Sequence, residues 1–219
     1  MKKAAIFHTS SGTLALMQSL TKEIMPEAEI MHIVEDSMIG QVMKNNGLTP
    51  EINARLAAYV HCAELAGCHI FMTACSSIGR GVEDCQFLSS IPVMRIDEAM
   101  ALEAVKNYNN IAVLATVGTT LKPTLEFIER KAAEAGRRPA IKSMLMAEAF
   151  QAFLAGDLAK HDDMVAAGIK EALGQSCEVI VLAQASMARV LDKTGPLPVP
   201  VLTSPERGIK LLKERLAAL

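Results

Sequence analysis

The stretch FMTACSSIGRG, residues 71 to 81, contains the side chain best suited to chemistry, Cys75. An apolar run ends at this cysteine, and two serines and a Gly-Arg-Gly follow it. We interpret Cys75 as the end of a buried strand and Ser76 as the start of a turn into a helix. Backbone N–H groups and the positive end of a helix dipole favour a thiolate at such a place, and a thiolate can act as a base or a nucleophile.

A free cysteine is also a common small core residue. The four remaining cysteines fit that second interpretation: Cys62, Cys68, Cys85 and Cys177. For Cys75, the polar residues that follow it favour a functional role.

Hydroxyl-rich turns follow two further predicted strands, HTSSGT near the start of the chain and TVGTT in its second half. Together with the serines after Cys75, they offer hydroxyl and backbone donors that can hold a carboxylate without an arginine. Ordinary helix capping uses the same donors and explains each turn equally well. The candidate substrate-binding residues are Thr9, Ser10, Ser11, Ser76, Ser77, Thr116, Thr119, Thr120, Ala185 and Ser186.

His8 ends the first predicted strand and is a third candidate for chemistry. It could donate or accept a proton, or hydrogen-bond Cys75, although a lone histidine is more often structural. If His8 were a base within about 3 Å of Cys75, a thiol-dependent hydrolase would also be possible.

The elements that position these residues alternate along the chain. Short apolar or β-branched runs are separated by longer stretches rich in Ala, Leu, Glu and Lys, which predicts βαβ units with a parallel sheet covered by helices on both faces. The predicted strands are KAAIFH, EIMHIV, CHIFMTA, PVMRI, NIAVLAT, IKSMLM, CEVIVLA and PVPVLTS.

An internal repeat organises these strands. CHIFMTACSSIGRG aligns with CEVIVLAQASMARV, so that Cys75 corresponds to Gln184, and AAIFHTSSGTLAL aligns with IAVLATVGTTLKP at nearly the same spacing. We predict two pseudo-symmetric α/β halves, residues 1–97 and 98–201, with residues 202–219 packing back on the first. Because ligands bind beyond the carboxyl ends of parallel strands, we expect both sets of strand ends to line one cleft, with Gln184 opposite Cys75.

Composition excludes several classes of protein. The chain has 219 residues, 51% of them hydrophobic and 21% charged, with a net charge of -2 and no block of like charge. This pattern argues against nucleic acid or an anionic membrane as a partner.

Apolar runs are too short for a secretory signal or a membrane span, so we expect a soluble cytoplasmic protein. Cysteine and histidine spacings predict no metal site, and no nucleotide-binding motif is present. The chain could form a homo-oligomer.

With these residues in place, the chain resembles the Asp/Glu/hydantoin racemase superfamily over essentially its whole length. The resemblance rests on TACSS, IAVLATVGTTLKP and VIVLAQASM. It implies two similar parallel α/β halves around a shared cleft, catalysis without a cofactor, and a small carboxylate as the substrate. It further implies that Cys75 is the first catalytic thiol, that Thr116 and Thr119 hold the substrate carboxylate, and that the turn after the first strand lines the site.

Two positions depart from the pattern of that superfamily. Gln184 replaces the second catalytic cysteine, and His8-Thr9 stands where glutamate racemases have Asp-Ser. An amide is not a useful acid in water, but Gln184 can donate a hydrogen bond to a developing enediolate. We therefore expect a cofactor-independent isomerase or racemase that uses Cys75 alone. The alternatives are a one-thiol decarboxylase of the malonate type and a small-acid binding or sensing protein without catalysis.

Overall fold

The structure is a computed structural model and describes residues 2–219. Within that range the chain alternates between strands and helices, as the sequence predicts. The strands are β1 (Lys3–His8), β2 (Glu29–Val34), β3 (Ile70–Thr73), β4 (Val93–Arg95), β5 (Asn110–Ala115), β6 (Ala140–Leu145), β7 (Val179–Leu182) and β8 (Val201–Thr203).

Helices connect and flank these strands. The α-helices are α1 (Leu14–Ile24), α2 (Met38–Lys44), α3 (Pro50–Leu65), α4 (Gly79–Asp84), α5 (Glu98–Asn107), α6 (Gly118–Glu134), α7 (Ala147–Leu154), α8 (Leu158–Gly174), α9 (Leu191–Thr194) and α10 (Ser204–Ala218). Short 3-10 segments cover Ser11–Thr13, Ser76–Ile78, Cys85–Phe87 and Ala185–Val190. Thr49 illustrates the local control of these elements, because its hydroxyl accepts from the Ile52 N–H ahead of a helix that begins with Pro50.

Contacts divide the described residues into two compact units, 2–98 with 205–219, and 99–204. Unit 1 contains a parallel sheet in the order β2-β1-β3-β4. One face of this sheet packs Phe7 and Phe71 against α2 and α3. The other face packs Ile6 and Met72 against α1 and α10, and Leu212 of α10 is fully buried there.

Unit 2 contains a second parallel sheet in the order β6-β5-β7-β8, which is the same order as in unit 1. Val113 and Val181 face a cluster with Phe127 of α6. Leu114 and Leu182 face the opposite cluster, which includes residues of α7 and α8. Two parallel four-stranded sheets flanked by helices confirm the predicted fold class.

The structure also differs from the prediction in detail. The central strands are apolar on both faces as expected, but β2 and β6 are edge strands with partly exposed residues. The helix predicted after Cys75 is α4, whereas α2, α7 and α9 were not predicted, and each of these three has eight residues or fewer. In the described range, no helix combines the length and apolar character needed to cross a membrane.

Candidate active site

In unit 1, two predicted site turns are neighbours at the carboxyl edge of the sheet. The Ala74 N–H donates to the Phe7 carbonyl at 2.8 Å, which continues the β1–β3 pairing beyond the last paired residues. The turn with Thr9, Ser10 and Ser11 therefore lies beside the turn that begins at Cys75. Ser10 acts locally as a cap, because its hydroxyl accepts from the Gly12 N–H at 3.0 Å, and Ser11 is exposed.

Cys75 occupies the expected position between a strand and a helical turn. It has extended backbone geometry and precedes the 3-10 segment Ser76–Ile78. The Thr73 hydroxyl accepts from the Cys75 N–H at 3.1 Å and donates to the Cys75 carbonyl at 3.3 Å. The Cys75 side chain is half-buried and packs beside the cluster of Phe7 and Phe71. A fixed backbone thus presents a thiol that remains partly accessible.

The other cysteines have different surroundings. The Cys85 and Cys177 thiols donate to backbone carbonyls of their own neighbourhoods, and the Cys68 thiol contacts the Met31 sulfur. Burial raises the pKa of all three thiols. Cys62 is exposed on α3. Of the five thiols, Cys75 is the one placed directly at the carboxyl end of a strand.

A buried ion pair lies behind the Cys75 turn. Arg95, at the end of β4, donates from Nε and Nη2 to the two carboxylate oxygens of Asp97, each at 2.8 Å. Glu83 of α4 lies 3.6 Å from Nη1 of the same guanidinium. Burial acts to raise the pKa of Asp97, but Arg95 and a hydrogen bond from the Ser76 side chain hold that pKa below its ordinary value.

This ion pair gives the Ser76 hydroxyl a partner within the protein, while the substrate-binding role of Ser76 stays a prediction. The Ser76 side chain is buried and hydrogen-bonds Asp97. A hydroxyl has one proton to donate, so the proton that Ser76 was expected to offer to a substrate is committed to Asp97. Ser77 is also buried and has a partner of its own.

The glycines of the SSIGRG stretch are explained by close packing. A Cβ on Gly79 would lie 2.4 Å from Cζ and Nε of Arg95, so only glycine leaves room for the buried guanidinium. A Cβ on Gly81 would lie 2.7 Å from Oδ1 of Asn53 and 2.8 Å from Cδ1 of Leu56, both on α3. Arg80 itself is exposed and pairs with Asp84 along α4.

His8 is placed differently from the prediction. Strand alternation puts its side chain on the Ile6 face of the sheet, whereas Cys75 packs on the Phe7 face. The His8 Nε2 lies 3.0 Å from Nδ1 of His32, and its Nδ1 lies 3.4 Å from the Thr13 hydroxyl. Both ring nitrogens therefore have partners other than Cys75. The prediction of a direct hydrogen bond between His8 and Cys75 is wrong. Burial, with a smaller contribution from His32, lowers the pKa of His8 to about 4.

In unit 2, the equivalent edge holds the turns after β5 and β7. The Ala183 N–H donates to the Leu114 carbonyl at 2.9 Å, so Thr116 and Gln184 follow directly on neighbouring strands. The Gln184 Oε1 accepts from the Thr116 N–H at 2.6 Å and from the Thr116 hydroxyl at 3.1 Å. The Gln184 Nε2 lies 2.9 Å from that hydroxyl. The Gln184 amide thus occupies donors of Thr116 that were expected to hold a carboxylate.

The remaining predicted residues of unit 2 have mixed surroundings. The Thr119 hydroxyl is buried and has no hydrogen-bond partner within residues 2–219. Thr120 is buried and has a partner. Ala185 and Ser186 are partly exposed at the start of the 3-10 segment Ala185–Val190. Thr119 is therefore the hydroxyl of this edge that most needs an external partner.

A second buried carboxylate anchors the 3-10 segment after Gln184. Asp162 of α8 is fully buried and accepts from Arg189 at 3.0 Å and from Lys193 at 2.6 Å. His161 Nδ1 lies 3.0 Å from its other oxygen. Although burial acts to raise the pKa of Asp162, hydrogen bonds from Lys193 and His161 and the charge of Arg189 hold it below its ordinary value.

Sequence reasoning did not find these two carboxylate clusters. The available signal was a pair of charges, Arg95 and Asp97, flanking Ile96 at the end of an apolar strand. Charges there must be paired if the strand is buried. Asp162 gave no comparable signal, because a helical Asp is ordinarily solvated.

The fold and these strand-end turns define an α/β protein of two units with parallel sheets of the same strand order. The sequence profile of the Asp/Glu/Hydantoin racemase family matches residues 8–212. The chain therefore belongs to this family, and family membership supports an isomerase-type enzyme. A comparison of the sequence with curated proteins gives no match.

Solved structures share the fold at low sequence identity. A putative Asp/Glu racemase from Yersinia pestis is 13% identical with a TM-score of 0.75, covering 99% of this chain and 100% of that one. An aspartate racemase homologue from Pyrococcus horikoshii is 21% identical with a TM-score of 0.73 and the same two coverages. Allantoin racemase from Klebsiella pneumoniae is 16% identical with a TM-score of 0.70, covering 100% of this chain and 89% of that one.

Proposed function

We propose that the protein is a cofactor-independent isomerase that moves a proton at the carbon next to a small carboxylate, with Cys75 as the only thiol that reacts. The observation that carries this proposal is the half-buried Cys75 at the carboxyl end of β3, with Gln184 at the equivalent position of unit 2. Family membership supports the reaction class, since its solved relatives include racemases of aspartate, glutamate and allantoin.

The proposed reaction begins with the Cys75 thiolate. It takes the α-proton, and the electron pair of that C–H bond moves into the carboxylate to form an enediolate. Backbone N–H groups of the 3-10 segment that follows Cys75 can stabilise the enediolate oxygen, and the neighbouring turn with Thr9 and Ser10 can hold the carboxylate. The Cys75 thiol then returns a proton to the same carbon, which regenerates the thiolate.

With a single thiol, the protein itself delivers a proton to only one face of the substrate. A proton returned by Cys75 reaches the face from which the first proton left, so configuration is retained. Inversion requires a proton from water at the other face, and the hydroxide that remains takes the proton from the Cys75 thiol, which regenerates the thiolate. We therefore expect α-hydrogen exchange with solvent to be faster than inversion of configuration.

The test is α-hydrogen exchange in deuterated solvent, followed by NMR and chiral chromatography. The substrates are L- and D-aspartate, L- and D-glutamate, a 5-substituted hydantoin and an α-substituted malonate. We expect Cys75→Ser to lower the exchange rate at least about a hundredfold, the usual contribution of a positioned acid–base group. The matched control is Cys62→Ser, which removes an exposed thiol of the same unit and should leave exchange unchanged.

Other outcomes identify the alternatives. Exchange that survives in Cys75→Ser would overturn the proposal. Loss of carbon dioxide from the malonate without exchange of the amino acids would indicate a one-thiol decarboxylase. Tight binding in calorimetry with neither exchange nor turnover would indicate a small-acid binding protein.

A further inference from the structure

We propose that Asp97 and Arg95 are positioning residues for Cys75, and that they act through the Ser76 hydroxyl. The inference rests on the proposed function in one respect, which is that Cys75 is the reacting thiol. It assigns a task to a buried ion pair that neither the family nor the sequence motif accounts for.

The first step is that this ion pair is poorly explained by stability alone. Arg95 is 2% exposed and Asp97 is fully buried, so both charges have lost their water. Replacing a buried ion pair with apolar residues is often neutral or stabilising, because the desolvation cost is comparable to the attraction gained. The repeat lacks the pair, since Thr203 corresponds to Arg95 and Pro205 corresponds to Asp97.

The second step is the connection to the reacting residue. The Asp97 carboxylate takes two hydrogen bonds from Arg95 and one from Ser76, which is the next residue after Cys75. Arg95 is itself fixed, because Gly79 leaves it a close-fitting space and Glu83 lies at its Nη1. The fork geometry of the guanidinium orients the carboxylate, and the carboxylate orients the Ser76 side chain.

The third step is that the two sides of the turn are held separately. Thr73 binds the peptide groups of Cys75, and Asp97 binds the side chain of Ser76. Loss of the Ser76 bond would leave the strand end fixed but free the start of the 3-10 segment Ser76–Ile78. The N–H groups of that segment would then be less well aligned with the Cys75 side chain.

The experiment measures alkylation of Cys75 by iodoacetamide between pH 6 and pH 9, using peptide mass spectrometry on the full chain. The exposed Cys62 thiol, read in the same sample, is the internal reference. The variants are Ser76→Ala, Ser76→Thr, Asp97→Asn and the double variant Ser76→Ala/Asp97→Asn. Thr21→Ala is the matched control, because it removes a buried hydroxyl of α1 that bonds only to its own helix.

We expect the ratio of Cys75 to Cys62 alkylation at pH 7 to fall about threefold or more in Ser76→Ala, through the loss of a hydrogen bond to a charged group. Ser76→Thr should restore the ratio, Thr21→Ala should leave it unchanged, and the double variant should match the single ones.

A ratio that is unchanged or raised in folded Ser76→Ala would overturn the inference. If Asp97→Asn does not fold, Ser76→Ala and Ser76→Thr still decide the question. Because alkylation needs no substrate, this measurement is independent of the proposed reaction. Exchange that persists in Cys75→Ser would contradict the proposed function. An unchanged alkylation ratio in Ser76→Ala would contradict only the positioning role of Asp97 and Arg95.

Discussion

The turns that follow β3 and β7 occupy equivalent positions in two sheets of identical strand order, but they are held in different ways. In unit 1 the residue at the strand end, Cys75, leaves its side chain free, and a buried ion pair fixes the turn through Ser76. In unit 2 the equivalent residue, Gln184, fixes the turn itself by bonding to Thr116. A duplicated scaffold can thus keep its strand order while only one copy keeps a side chain available for chemistry.

The largest expected difference between the two units concerns their buried carboxylates. Asp97→Asn removes the charge that takes two hydrogen bonds from the buried Arg95, so we expect the free energy of unfolding to fall by about 3–5 kcal/mol. Asp162→Asn should cost less, about 1–2 kcal/mol. Its partners Arg189 and Lys193 are 43% and 50% exposed and can return to water.

Urea unfolding of both variants, followed by circular dichroism, checks this comparison. The two substitutions are matched, because each replaces a buried Asp with the isosteric amide. Equal decreases in the free energy of unfolding would show that the exposure of the partner cation does not determine how much stability each substitution removes.

The second prediction concerns Gly79 and its counterpart in the repeat, Ala188. Gly79→Ala places a Cβ 2.4 Å from the Arg95 guanidinium, which cannot move without losing Asp97. We expect this overpacking to cost about 1–3 kcal/mol. The reverse control, Ala188→Gly, should cost only about 0.5–1 kcal/mol through backbone entropy.

Thermal or urea unfolding measures both changes. A larger loss for Ala188→Gly than for Gly79→Ala would mean that Arg95 does not require the glycine.

These two comparisons show where sequence reasoning succeeds and where it ends. The strands, their parallel pairing and the repeat follow from apolar runs of fixed spacing, because burial between helices requires them. The place of Cys75 follows from the same pattern. Side-chain partners do not, since they depend on which face and which neighbouring strand a residue meets. A hydrogen bond to Cys75 was one option for His8, but strand alternation turns it toward His32, and Ser76 was a candidate for substrate binding, whereas its hydroxyl bonds Asp97.

The third prediction uses His8, whose counterpart in unit 2 is Ala115. The pKa of His8 is about 4 in the folded protein, below its ordinary value of 6.5. Between these values the unfolded chain binds a proton that the folded protein does not, so stability is lost as the pH falls from about 6.5 toward 4. One such group gives a slope of up to about 1.4 kcal/mol per pH unit. The lowered pKa of His32 acts in the same direction.

Urea unfolding at several values between pH 4 and pH 7 measures this slope. His8→Ala places in unit 1 the residue type found at the equivalent position of unit 2. It should reduce the slope of the free energy of unfolding against pH. The same slope in His8→Ala and the unchanged protein would contradict the assignment.

The smallest expected effect, and the one that bears most directly on the comparison of the two turns, comes from Gln184→Cys. This substitution gives unit 2 a thiol at the position that corresponds to Cys75, and it releases the Thr116 N–H and hydroxyl from the amide. A thiol is an acid of the kind that inversion needs, whereas the amide that it replaces is not.

The ratio of inversion to exchange should then rise by about tenfold, equivalent to about 1.4 kcal/mol in the barrier to inversion. Gln184→Ser is the matched control, because it releases Thr116 in the same way but supplies no comparable acid. Chiral chromatography and NMR exchange on one sample give both rates. An equal ratio of inversion to exchange in Gln184→Cys and Gln184→Ser would mean that Gln184 does not limit inversion. The difference between the two turns would then lie in the hydrogen bonds that hold them, and not in the proton donors that they carry.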